Sequence, residues 1–262
     1  MSVRAYKAFD KNMQCLGFSF EVGQTYEHEG KVVACKSGFH ACENPLDVWS
    51  YYPLDSRYAV VDLSGEASRH GSDSKIAAAR ITISAEIGLP QIISDGIAYL
   101  MGLCKAAFAL SPDASASGDC SKLAASGNDS KLAASGYRSQ LAASGDRSQL
   151  AASGDCSQLA ASGDRSQLAA SGYRSQLAAS GYRSQLAASG DRSQLAASGD
   201  CSVCMSAGLG ATARAGDGGA IALTYHDGTR YRIAVAYVGE GGIEPHVDYC
   251  VTDSGEFIRA DD

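Results

Sequence analysis

The chain has 262 residues, 45% of them apolar, with 29 glycines but only 5 prolines, and a net charge of -7. That apolar content supports real cores and excludes a disordered chain, and the fixed spacing of the glycines excludes a flexible linker and collagen alike. Residues 1–112 carry 10 Lys/Arg against 12 Asp/Glu, residues 113–204 carry 8 against 8, and residues 205–262 carry 4 against 9; no segment has the positive excess that nucleic-acid binding needs or the dense negative charge of a nucleic-acid mimic.

Residues 1–86 read as a small α+β domain. Strands are expected near 5–9, 17–22, 32–35, 58–63 and 79–83, with a short helix over 44–51, where Asn44 suits the N-cap and Pro45 the first helical position. Residues 1–10 hold no apolar run of the kind a signal peptide carries, which suggests a cytoplasmic protein. The 9 cysteines then read as reduced thiols rather than a disulfide framework. The most compact polar constellation is Cys35-Lys36-Ser37-Gly38-Phe39-His40-Ala41-Cys42-Glu43. It reads either as a buried strand with a satisfied histidine and inert thiols or as one wall of a pocket formed by His40, Glu43, Tyr51 and Tyr52. The spacing lacks the paired cysteines of a zinc module, so no metal is assigned. A Cys42/His70 nucleophile pair has no support from spacing.

Residues 87–112 read as a helix and connector, apolar on most of its circumference, with Pro90 in the first turn and Ser94 or Asp95 as a possible internal cap. Its apolar stretch, 97–110, is too short to span a bilayer. The helix is expected to cap the open end of the repeat block that begins at residue 113.

Residues 113–204 repeat every nine residues. Leucines stand at 123, 132, 141, 150, 159, 168, 177, 186 and 195 within Leu-Ala-Ala-Ser-Gly-(Asp/Tyr/Asn)-(Arg/Cys/Asp)-Ser-(Gln/Lys). A Ser-Gly in each unit breaks helices, and the period is too short for a helical array, which leaves short strands and turns. Two units close one coil of a β-solenoid, about 18 residues. Alternation sends Ser139, Leu141 and Ala143 inward and Arg138, Gln140 and Ala142 outward. Glycine is expected to supply the positive φ of each corner, and the inward serine to bond a neighbour one coil away. The corner positions form either a self-neutralising Asp/Arg surface or a partner-binding stripe of Tyr137, Arg138, Tyr173, Arg174, Tyr182 and Arg183. The outward alanines Ala142, Ala151, Ala160, Ala169, Ala178 and Ala187 are expected to form a flat face for homo-oligomers. Cys201-Ser202-Val203-Cys204 has the spacing of a metal or redox pair but continues the corner positions of the last coil.

Residues 205–262 carry alternating runs at 220–225, 231–238 and 246–252, a β-meander expected to form the second cap. The whole is therefore expected to be mainly β: a capped nonapeptide-repeat solenoid. No P-loop, dinucleotide fingerprint or nucleophile elbow occurs, which points to a binding scaffold rather than an enzyme and to no cofactor; an enzymatic or ligand-binding N-terminal pocket on an oligomerising stalk is the alternative, and a structural virion component the third.

The motifs Lys7-Ala8-Phe9-Asp10, the runs 17–23 and 37–47, Tyr51-Tyr52-Pro53, the run 73–77, the Ala/Ser/Gly repeat block and a C-terminal β segment around 219–223 together resemble a family of uncharacterised bacteriophage and prophage proteins with a Gly-Phe-His-Ala-Cys type N-terminal domain. The resemblance implies a phage accessory protein acting inside the bacterial host, with a host factor such as a defence protein as partner, and carries no catalytic residues over.

Overall fold

The computed structural model describes residues 2–69, 74–107 and 113–260. The chain divides into two compact units, Met1–Tyr99 and Leu100–Asp262.

The first unit is built on β1 (Val3–Phe9), the two-residue strands β2 (Gln14–Cys15) and β3 (Phe18–Ser19), β4 (Thr25–Glu27), β5 (Phe39–Cys42), β6 (Arg57–Arg69) and β7 (Lys75–Ile87). Its antiparallel sheet runs β4-β7-β5-β1-β6, and β6 also pairs with β7, so four strands close on themselves. Phe9, Val61, Leu63, Ile76, Ile81 and Ile83 fill the interior. The run 17–22 pairs only at Phe18–Ser19, and 32–35 forms turns with a single bridge, Val33 to Ser37. Positive φ at Gly17 and Gly23 bounds the first run, and positive φ at Cys35 and Gly38 turns the second. The strand at 25–27 was not expected, and 39–42 is the strand that the buried-strand reading of residues 35–43 placed there. The helix after Asn44 is present as a 3-10 helix, Pro45–Ser50, with the Asn44 side chain accepting from the Leu46 N–H.

Helix α1 (Leu89–Ala107) begins after Gly88 and has Pro90 in its first turn. Asp95 does not cap it internally; its carboxylate accepts from the Tyr6 hydroxyl at 3.0 Å and from Gln91 at 2.7 Å. Gly96 packs on the Leu46 side chain, where a Cβ would come within 2.5 Å. The expected residues 108–110 of the helix lie outside the described residues.

The second unit is the solenoid. One sheet holds β8 (Asp113–Ala116), β10 (Lys131–Ala134), β12 (Gln149–Ala152), β14 (Gln167–Ala170), β16 (Gln185–Ala188) and β18 (Val203–Ser206); the other holds β9 (Lys122–Ala125), β11 (Gln140–Ala143), β13 (Gln158–Ala161), β15 (Gln176–Ala179), β17 (Gln194–Ala197) and β19 (Thr212–Arg214). Each strand from β8 to β17 pairs in parallel with the one 18 residues on, Leu141 beside Leu159 and Leu150 beside Leu168. Ser139, Leu141 and Ala143 are fully buried, as alternation requires. The regular coils extend past the repeat: β20 (Ala220–His226) adds in parallel to β18, and β21 (Tyr231–Tyr237) folds back antiparallel to it. On the other sheet β22 (Tyr249–Val251) pairs antiparallel with β19, and β23 (Phe257–Arg259) with β22. The C-terminal strands are thus divided between the two sheets instead of forming one meander.

Three details differ from expectation. Positive φ falls on the residue after the variable position, Cys120, Asp129, Arg138, Arg147 and onward every nine residues to Cys201, and on none of the repeat glycines. From Gly136 onward those glycines are required because a Cβ on Gly163 would sit 2.3 Å from the Gly145 carbonyl oxygen of the coil before, a spacing repeated through the stack. The buried serines donate within their own corner, Ser139 to the Gly136 carbonyl at 2.8 Å and Ser166 to Gly163 at 2.8 Å. The coils are joined at the corners by carboxylates, Asp155 accepting from the Tyr173 N–H and Asp164 from the Tyr182 N–H, each at 2.8 Å. Third, the alanine face is two faces. Ala142, Ala160 and Ala178 have no solvent exposure, with Gln140 and Gln158 buried beside them and joined by a side-chain bond of 2.8 Å, so they cannot meet a second molecule. Ala151, Ala169 and Ala187, on the other sheet, are exposed.

Candidate functional site

A cleft of about 810 Å³ opens in the N-terminal unit. Strand β1 builds its floor. Alternation places Lys7 between Ala5 and Phe9 on the side of β1 that faces the core, and the lysine is only 6% exposed. Its Nζ donates to the His40 carbonyl at 3.1 Å and lies 3.4 Å from Cys15 Sγ, with the Phe9 and Phe20 rings at 5.5 and 5.6 Å. The Cys15 thiol in turn meets the Tyr52 hydroxyl at 2.8 Å. Amine, thiol and phenol therefore form one chain along the wall. Phe18 and Phe39, edge to face at 5.8 Å, and Tyr51, over whose ring the Lys75 ammonium sits at 3.9 Å, supply the apolar lining.

No carboxylate pairs with Lys7 among the described residues. Burial pushes its pKa down, and the neighbouring Cys15 and Cys42 only partly oppose this, so the neutral amine is favoured more than in an ordinary lysine. His40 is also pushed down, first by burial and then by the charges of Lys7 and Lys75. Its Nε2 accepts from the Cys35 N–H at 2.9 Å, which places the proton of the neutral ring on Nδ1 and occupies the nitrogen that would act as a base. Burial and the contact with Cys15 raise Tyr52, which stays a phenol. For Lys75 burial works against the charge, but hydrogen bonds to Tyr51 and Cys35 outweigh it and raise the pKa. The cleft thus offers a buried amine, a second cationic head group, a thiol and a phenol, with aromatic walls.

Of the residues expected in an N-terminal pocket, His40, Tyr51 and Tyr52 line the cleft and Glu43 does not. Its carboxylate takes a two-armed ion pair from Arg69. His40 is at once the satisfied histidine of strand β5 and part of the cleft wall. Lys7, Cys15 and Lys75 were missed; the signal available for Lys7 was a single charge in the middle of a buried strand. Cys42 is buried, and His70, its suggested partner, lies outside the described residues.

The Tyr/Arg positions do not form one stripe. Tyr137 and Tyr173 share a corner column, separated by the Asp155 coil, whereas Tyr182 occupies the column of Asn128, Asp146 and Asp164. Arg183 stacks 4.9 Å over Tyr182 and Arg174 5.9 Å over Tyr173, all four being exposed. Arg147 pairs with Asp129 of the adjacent coil at 2.7 Å. Cys201 is exposed, but Cys204 points into the solenoid interior, donates to the Arg214 carbonyl at 3.1 Å, and has its thiol pushed up to about 12 by burial, so the two do not face one ligand. Among the described residues no group of three or more His, Cys, Asp or Glu is arranged to hold a metal ion, and no helix is long and apolar enough to cross a membrane.

Residues 3–95, which include the whole cleft, match the family model described as a domain of unknown function (DUF7666). No curated protein and no solved structure matches the chain.

Proposed function

We propose that the N-terminal unit is a small-ligand pocket and that the solenoid is the rigid scaffold that carries it. The ligand class is a small molecule with a planar apolar body and an anionic or carbonyl group. The aromatic walls suit the body, and the two lysines suit the group. The observation that carries this reading is Lys7: a buried amine on a cleft wall, with no carboxylate paired to it among the described residues. Protonated, it binds an anion in a site of low dielectric; neutral, it adds to a carbonyl carbon and forms an imine with loss of water.

Pyridoxal 5′-phosphate, which is planar, anionic and an aldehyde, serves as the probe. Brief exposure followed by borohydride reduction and peptide mapping is expected to mark Lys7 before the exposed lysines, and Lys7→Met to abolish that adduct. Label spread evenly over the exposed lysines, with Lys7 unmarked, would defeat the proposal.

A second reading is favoured by the pre-ordered Arg183/Tyr182 stack on the corner and by the resemblance to phage proteins: a cytoplasmic phage accessory protein whose solenoid binds and inhibits a host protein. It requires that a host protein captured by the wild type be released by Tyr182→Ala with Arg183→Ala. Capture that survives both substitutions would remove the corner from the account.

A further inference from the structure

Strand β21 ends the eight-stranded sheet, and no described strand pairs with its outer side. The phase of its ladder is fixed by Val238, whose N–H donates to the Gly219 carbonyl at 2.9 Å. In an antiparallel pair the bonded positions alternate. With Ala220 opposite Tyr237, residues 232, 234 and 236 bond to β20, and the N–H and C=O groups of Tyr231, Ile233 and Val235 point to the open edge.

The same residues carry exposed apolar side chains: Tyr231 and Ile233 at 67%, Val235 at 54% and Tyr237 at 56%. They lie on the outer face of the sheet, continuous with Met205 through Ala222. Natural edge strands are usually blunted by proline, lysine or a bulge. β21 has none of these; its single charge, Arg232, is held by Asp227.

We propose that the occupant of this edge is a second copy of the chain, paired antiparallel with β21 about a two-fold axis at Ala234. The run Tyr231-Arg232-Ile233-Ala234-Val235-Ala236-Tyr237 reads almost the same in both directions, which is what an isologous contact needs. The axis sets Tyr231 opposite Tyr237 of the second copy and Ile233 opposite its Val235, an aromatic pair and a β-branched pair. These are the positions whose backbone groups face outward, so hydrogen bonding and side-chain pairing use one register. Arg232 falls opposite alanine, so no like charges meet. This contact is independent of the cleft and replaces the alanine face as the site of self-association.

Sedimentation of the full chain over a dilution series tests it, together with Val235→Pro. The amide that proline removes is not used in the ladder to β20, so the fold is retained while the edge is blocked. The expected result is twice the monomer mass for the wild type and a single monomer mass for Val235→Pro at equal thermal stability. Hydrogen exchange on the wild type, which needs no variant, is expected to show the Ile233 and Val235 amides protected at high concentration and released on dilution. Ile233→Lys, at an exposed side chain, provides a second variant if the proline does not fold. A wild type that is monomeric throughout, or a dimer that survives in folded Val235→Pro and is lost in Ala169→Glu, would overturn the proposal.

Discussion

Lys7 stands at the centre of the residue-scale account. A lysine held below its ordinary pKa makes the unfolded chain the better proton binder between its folded value and the unfolded one of about 10.4, and stability rises with pH across that window. The sign is opposite to that of a lysine gaining an acidic partner. Urea unfolding of wild type and Lys7→Met at neutral pH and near the top of the window checks it: the wild type is expected to gain stability relative to the variant as pH rises. At neutral pH the methionine variant is expected to be at least as stable, since an uncompensated buried cation is removed while the aliphatic volume is kept. Little of this was legible beforehand. Lys7, Cys15, Tyr52 and Lys75 come from four separated segments, and the pairing of β5 with both β1 and β7 is what brings the two lysines to one wall.

At the scale of the element, the solenoid corner separates two roles that the sequence merges in its glycine. The backbone that turns left-handed is at Arg165 and its equivalents; the glycine makes room for the carbonyl of the coil before it. Gly163→Ala is therefore expected to destabilise the solenoid by at least about 2 kcal/mol through overpacking against backbone. Gly127→Ala, whose nearest neighbour among the described residues would be a serine hydroxyl at 3.6 Å, is expected to fall within a few tenths of a kcal/mol of the wild type. Arg165→Asn is expected to stabilise by about 0.5 kcal/mol, since asparagine tolerates the left-handed region better than arginine. Thermal denaturation of the three variants separates these effects. The nine-residue leucine period made the coil, its register and its interior readable in advance, because inward Ser, Leu and Ala repeat at strand spacing. The corner was misread because a glycine required by the neighbouring coil looks, in one dimension, like a glycine required by its own φ.

For the molecule as a whole, the sequence distinguished the regular part from the irregular part well and the surfaces poorly. Outward alanines are identical in sequence on the two sheets, yet those of β11, β13 and β15 are buried and those of β12, β14 and β16 are open, a difference set by tertiary structure alone. The C-terminal alternation was legible as strands, but not that β21 would present an unblunted, nearly palindromic edge. Because all the cleft residues belong to the first unit, Gly163→Ala is expected to weaken the solenoid while leaving the yield of the Lys7 adduct unchanged. The most direct test of the central claim is an NMR titration of the lysine side chains, with Lys7 assigned by the resonance missing in Lys7→Met. A midpoint for Lys7 below the ordinary lysine value of about 10.4 is the predicted result, and a midpoint at or above that value would contradict the buried, uncompensated amine on which the pocket rests.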